Sequence, residues 1–129
     1  MITEDYVSFE TAKLLKEKGF DVKCNKCYAY FADDDIRFLN LKYPKSAQLL
    51  SENRYPCITL QMVMKWLLRE YKLYVNVCPS VEYYYWTEKW HSYVEDLNKR
   101  YPFGRFIGTF DSLEEACEAS IKYCLKNLI

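Results

Sequence analysis

The sequence predicts an α+β fold in which an antiparallel β-sheet is packed with about three α-helices in a sandwich-like arrangement. Stretches with apolar residues at helical spacing follow good N-caps. Between them lie short runs rich in aromatic and β-branched residues, bounded by turn formers. The chain also has the apolar content a packed core demands, with 50% hydrophobic residues and 13 Tyr, 7 Phe and 3 Trp among 129.

The first helix opens at Ser8, a good N-cap, with Val7 placed to staple onto Ala12. Phe9, Ala12, Leu15 and Gly19 form its apolar face, and Gly19 ends it as a left-handed cap with Phe20 folding back. A hairpin follows, with strands over Tyr28–Ala32 and Ile36–Leu41 and a turn over Asp33-Asp34-Asp35. From Tyr43 to Cys57, Pro44 and Pro56 bound a loop or one short helical turn.

Thr59 caps a second helix, Leu60 to about Glu70, whose Leu60, Val63, Met64, Leu67 and Tyr71 recur at helical spacing. Leu73–Val77 reads as a strand and Pro79-Ser80 as a turn. Tyr83–Trp86 and Trp90–Glu95 then form a second hairpin closed over Thr87–Lys89. Asp96–Gly104 is a loop and Arg105–Thr109 a last strand. The final helix carries a capping box, Asp111 with Glu114 or Ser112 with Glu115, and a buried stripe from Leu113 to Leu128. With no internal repeat, low-complexity tract or interior linker, residues 1–129 read as a single domain.

Two of these stretches carry a resemblance. One is Thr59-Leu60-Gln61-Met62 running into Lys65-Trp66-Leu67-Leu68-Arg69-Glu70. The other is Phe110-Asp111-Ser112-Leu113-Glu114-Glu115-Ala116-Cys117-Glu118-Ala119, with Ile121-Lys122-Tyr123-Cys124-Leu125 after it. Together with the Ser8-Phe9-Glu10 helix start, they resemble a family of small uncharacterised proteins carried by phages and prophages of gut anaerobes. That family is similar to the phage alpha-beta-alpha sandwich domain, an antiparallel sheet between helices. The likeness covers the start and most of residues 59–129. Its motifs are caps and core positions, so it implies a fold and an origin but no catalytic residue.

Charge and composition narrow the function classes. Lys+Arg and Asp+Glu balance at 18 each, which argues against a protein held on nucleic acid mainly by phosphate contacts. Glu4 and Asp5 stand where a signal peptide needs basic residues, and the longest apolar run is Cys27–Ala32. The expectation is a cytoplasmic protein with reduced thiols and no membrane span.

Cys24-Asn25-Lys26-Cys27 has metal-knuckle spacing, but the sequence shows no second pair to complete four ligands. It reads as ordinary thiols, with a metal site or a labile disulfide as alternatives. Asp33-Asp34-Asp35 lacks the glycine and downstream glutamate of a cation loop and reads as a solvated turn. His91 has no nucleophile motif beside it and reads as a packed hairpin side chain. Gly104 and Gly108 are too sparse for a phosphate loop. No catalytic residue and no cofactor are assigned.

The aromatic surplus clusters late in the chain. Tyr83, Tyr85, Trp90, Tyr101 and Phe103, flanked by Lys89, Lys99 and Arg100, are expected to form an exposed patch. The predicted role is a non-enzymatic interaction or accessory module that engages a protein partner or a second copy of itself. The rivals are a nucleic-acid binder using the aromatic sheet surface and a metal-binding protein at Cys24/Cys27.

Overall fold

Ser8 does open the first helix: its side chain accepts from the Thr11 amide, contributing about 1 kcal/mol. In the computed structural model, which describes residues 5–99 and 104–129, the elements run α1 (Phe9–Glu17), β1 (Lys23–Ala32), β2 (Asp35–Ser46), a short 3-10 turn (Ala47–Leu49), β3 (Arg54–Pro56), α2 (Leu60–Tyr71), β4 (Leu73–Glu82), β5 (Tyr85–Asp96), β6 (Gly104–Phe110) and α3 (Leu113–Asn127). The protein is α+β, with three helices and two antiparallel sheets of three strands among the described residues. By its contacts the chain groups into two compact units, Met1–Thr59 and Leu60–Ile129. No linker composition marks the division, because it falls between a bridge residue, Thr59, and the first residue of α2.

In the first unit the strand order is β2-β1-β3. Gly19, at φ +84°, supplies the left-handed residue that turns the chain out of α1, and the Phe20 amide bonds back to Leu15 O. Val7, Ala12, Leu15 and Phe20 are fully buried, with Cys27 and Ala29 of β1. Phe9 of α1 packs edge-on against Tyr28 and Tyr55 and stacks on Tyr30. Lys16 extends from the same helix to donate to Ser51 O and Arg54 O, fixing the approach to β3. Between Pro44 and Pro56 the short helical turn is present at Ala47–Leu49, but β2 first runs through Pro44 to Ser46; a proline is compatible because β2 is an edge strand and needs no amide on its outer side.

The second unit is a meander, β4-β5-β6, with α2 and α3 against one face. Leu73 and Val75 of β4 and Ser92 and Val94 of β5 are buried on that face, under Val63 and Leu67 of α2 and Ile121, Cys124 and Leu125 of α3. Each such aliphatic side chain contributes about 1.5–3 kcal/mol when fully buried. Ser112 is the α3 N-cap and accepts from the Glu115 amide, which decides between the two capping boxes the sequence offers. Ser92 Oγ donates to Ala116 O at 2.9 Å and accepts from the Ser120 hydroxyl, joining β5 to α3 by a buried polar contact.

The second hairpin differs from its expected form. The turn is not at Pro79-Ser80 or Thr87–Lys89; of the expected strand Tyr83–Trp86, Tyr85 and Trp86 open β5 and Tyr83 and Tyr84 do not belong to a strand. Instead β4 continues through Pro79, with a register shift before Val81, and reverses at Tyr83-Tyr84. Proline at a sheet edge with an adjacent bulge costs no ladder bond, so a turn signal survives inside a strand. The two units share part of their element order, although the sequence carries no internal repeat. Each unit contains, in order, a helix, a strand of 10 residues, a turn, and a strand of 12 residues. Side chains at matching places differ, so the sequence hides the likeness.

Candidate interaction surface

The tip of the β4–β5 hairpin is the most exposed apolar feature among the described residues. Core contacts end at Ser80, which is buried, and beyond it Val81 and the four aromatic residues Tyr83–Trp86 are exposed. Tyr84 is 100% exposed, Tyr83 89% and Tyr85 77%. Contiguous apolar surface of this kind is uncommon on a protein without a partner.

The backbone at the tip is strained as well. Tyr83 and Tyr84 sit at φ 50° and 70°, the left-handed values of a two-residue hairpin turn that Asn-Gly fits. A bulky side chain there costs roughly 1–2 kcal/mol per residue. Sequence reasoning missed the turn because tyrosine is a strand former and a poor left-handed residue.

The base of the tip is tied down. Thr87 Oγ1 donates to Ser80 O at 2.9 Å, across the hairpin. Trp86 donates its indole N–H to Lys89 O at 3.3 Å, and its ring meets Trp90 edge-on at 5.8 Å. Lys89 forms an ion pair with Asp111, just before α3; that carboxylate raises the ammonium pKa. The aromatic tip therefore stands on a fixed stem.

Of the residues expected in the patch, Tyr83 and Tyr85 are on this tip and Trp90 is half-buried at its base. Tyr101, Phe103 and the flanking Arg100 lie outside the described residues. Tyr84 and Trp86 are added by the turn geometry.

A second surface is the face of the β4-β5-β6 sheet away from the helices. Cross-strand register places Asn76, Tyr93 and Phe106 in one row and Cys78, His91 and Thr109 in the next. His91 Nδ1 lies 2.9 Å from Thr109 Oγ1, and its ring packs on Phe106 and Tyr93. These two rows contain no Lys or Arg.

The first unit holds a depression of about 290 Å³ between α1 and the hairpin, lined by Phe9, Lys13, Tyr30, Asp33, Ile36 and Tyr55. Tyr30 donates its hydroxyl to Asp33 at 2.6 Å within it, and this bond raises the phenol pKa. No sequence signal marked this site, because Phe9, Tyr30 and Tyr55 are far apart in the chain.

All six cysteines are free thiols. Cys24 and Cys27 are buried, and the pairing of Cys27 with Pro56, with the Cys57 amide donating to Lys26 O at 3.1 Å, brings Cys57 into their neighbourhood, a proximity the sequence concealed. Burial, reinforced by Cys27 and Cys57, pushes the Cys24 thiol up to about 11. Burial likewise raises Cys27, against the opposing pull of Arg54. Cys24 Sγ lies 3.5 Å from Lys45 O as a donor, which suits a protonated thiol. Among the described residues no group of three or more His, Cys, Asp or Glu side chains is arranged to hold a metal ion, and no helix is long and apolar enough to cross a membrane. In the acidic turn, Asp33 accepts from Tyr30 and Asp35 accepts from Arg37.

No protein-family model matches the chain, and searches of curated proteins and of solved structures return no match.

Proposed function

We propose that this chain is a small, non-enzymatic protein-interaction module that acts in the cytoplasm as an accessory protein of a phage or prophage, and that the β4–β5 tip is its contact surface. The phage assignment rests on the resemblance of the Thr59–Glu70 and Phe110–Leu125 stretches. The contact surface rests on one observation above the others: two consecutive tyrosines held in left-handed conformation with their rings in solvent. Strain retained where no core contact needs it is expected at a functional site. Tyrosine and tryptophan offer large rigid contact area with little rotamer entropy to lose.

The nucleic-acid reading is less well supported. The aromatic sheet face could stack bases, but its paired rows carry no cation to neutralise phosphate.

Paired affinity capture tests the proposal. Wild type and a Tyr83→Asn/Tyr84→Gly/Tyr85→Ser variant serve as baits in host lysate. The expectation is a protein retained by wild type and lost by a variant that melts no lower. Identical captures by the two baits would overturn the assignment of the tip. Sedimentation at rising concentration distinguishes a second copy as the partner.

A further inference from the structure

The two hairpin tips treat charge differently. At the first tip, the Arg37 guanidinium lies 4.6 Å from the centre of the Phe31 ring and donates to both oxygens of Asp35 at 3.1 and 3.3 Å. A ring of β1 and a carboxylate of β2 thus hold a cation supplied by the same hairpin.

The second tip has the ring and the carboxylate without the cation. Glu82 and Tyr85 are directly opposite across the hairpin, so their side chains share a face. Tyr83 and Tyr84 extend the aromatic surface beside them. From Val81 to Glu88 the sequence contains Glu82 and Glu88 and no Lys or Arg. The place of Arg37, two residues into the returning strand, is taken by Thr87, which is spent on Ser80 O. The next cation along, Lys89, is held by Asp111. Among the described residues, neither Glu82 nor Glu88 has an ion-pair partner.

Building on the reading of this tip as a contact surface, we propose that its partner is a protein presenting an exposed arginine or lysine, which inserts between the Glu82 carboxylate and the Tyr85 ring. The chemistry is that of the Phe31–Arg37–Asp35 arrangement, with the cation supplied from outside. Exposed tyrosine rings favour a cation, and two carboxylates without a local counter-charge disfavour an anionic partner. Each exposed cation–ring or ion-pair contact is worth about a two- to fivefold gain in affinity, so binding draws on several at once.

The test uses the full chain, labelled with ¹⁵N, and two probes: a short peptide alternating arginine with glycine, and its citrulline counterpart, which keeps the shape without the charge. The arginine peptide is expected to shift the amide resonances of Tyr83–Trp86 and the Trp86 indole, and the citrulline peptide to leave them in place. Glu82→Gln should weaken the arginine peptide roughly threefold, and Asp33→Asn at the other tip should not. The proposal is overturned if the citrulline peptide binds equally, if the arginine peptide moves only the Asp33–Arg37 tip or nothing, or if an oligouridylate or simple self-association produces the tip shifts. An unmoved tip alongside tyrosine variants that still lose partner capture sinks the cation and leaves the contact surface standing. Captures unaffected by those variants sink the contact surface itself.

Discussion

Replacing Ser92 by alanine probes how β5 is fastened to α3. Ser92 and Ser120 are both fully buried, and Ser92 Oγ donates to Ala116 O. The hydroxyl between the two serines must therefore come from Ser120. Ser92→Ala removes the Ser120 acceptor, and the Ser120 hydroxyl can only turn back to Ala116 O on its own helix. The loss of a net bond, partly offset by that fallback, comes to about 1–2 kcal/mol. Ser120→Ala leaves Ser92 its bond to Ala116 O and should cost about 1 kcal/mol. In the double variant neither hydroxyl is stranded, so its cost should fall short of the sum of the singles by about 0.5–1 kcal/mol. Urea unfolding followed by far-UV circular dichroism measures all three, with a constant m-value as the check on two-state behaviour. Strict additivity would refute the coupled pair.

Further expectations follow from particular residues. Replacing Tyr83-Tyr84 by Asn-Gly should stabilise the protein by about 1–2 kcal/mol, because those residues enter left-handed backbone freely; a lower melting temperature would mean the rings are packed, not strained. Lys16→Met should destabilise by about 1–2 kcal/mol through the loss of the bonds to Ser51 O and Arg54 O, read by thermal melting. Burial pushes the Cys124 thiol up to about 12 from an ordinary 9.0, so the unfolded chain loses this proton first. The stability it contributes is complete below pH 9.0 and declines as pH rises toward about 12; Cys124→Ala should flatten the fall in melting temperature over that window. Cys78 is half-buried while the other five thiols are buried, so alkylation of the native protein should label Cys78 first, by mass spectrometry of peptides.

The elements that could be read from sequence are those fixed by local chemistry. Ser8, Gly19 and Ser112 act within one turn of their own positions, and the α2 and α3 stripes repeat at 3.6 residues, so these three helices were legible. Pro44 and Pro79 misled because their meaning depends on whether a strand lies at an edge, which only pairing decides. Tyr83-Tyr84 misled for the opposite reason: local preference pointed to strand, and register with β5 forced a turn. The aromatic surplus identified the region of the candidate surface, and geometry alone picked out Tyr84 and Trp86. The neighbourhood of Cys57 with Cys24 and Cys27, and the Phe9–Tyr30–Tyr55 depression, depend on long-range pairing that no local pattern encodes.

The two strand orders imply different routes to the folded state. Among the described residues of the second unit every ladder joins neighbours in sequence, and β5 meets β6 starting from Glu95 beside Gly104. Short closures of that kind cost little chain entropy before contacts begin to offset them. In the first unit β3 must return past β2 to lie beside β1, with Cys27 opposite Pro56, so its ladder closes a far longer loop for only three residue pairs. Pulse-labelled amide exchange during refolding should therefore protect the β5–β6 ladder early and the β1–β3 pairing late. Pro56 and Cys57, among the most deeply buried residues of the first unit, would then be among the last to lose contact with water.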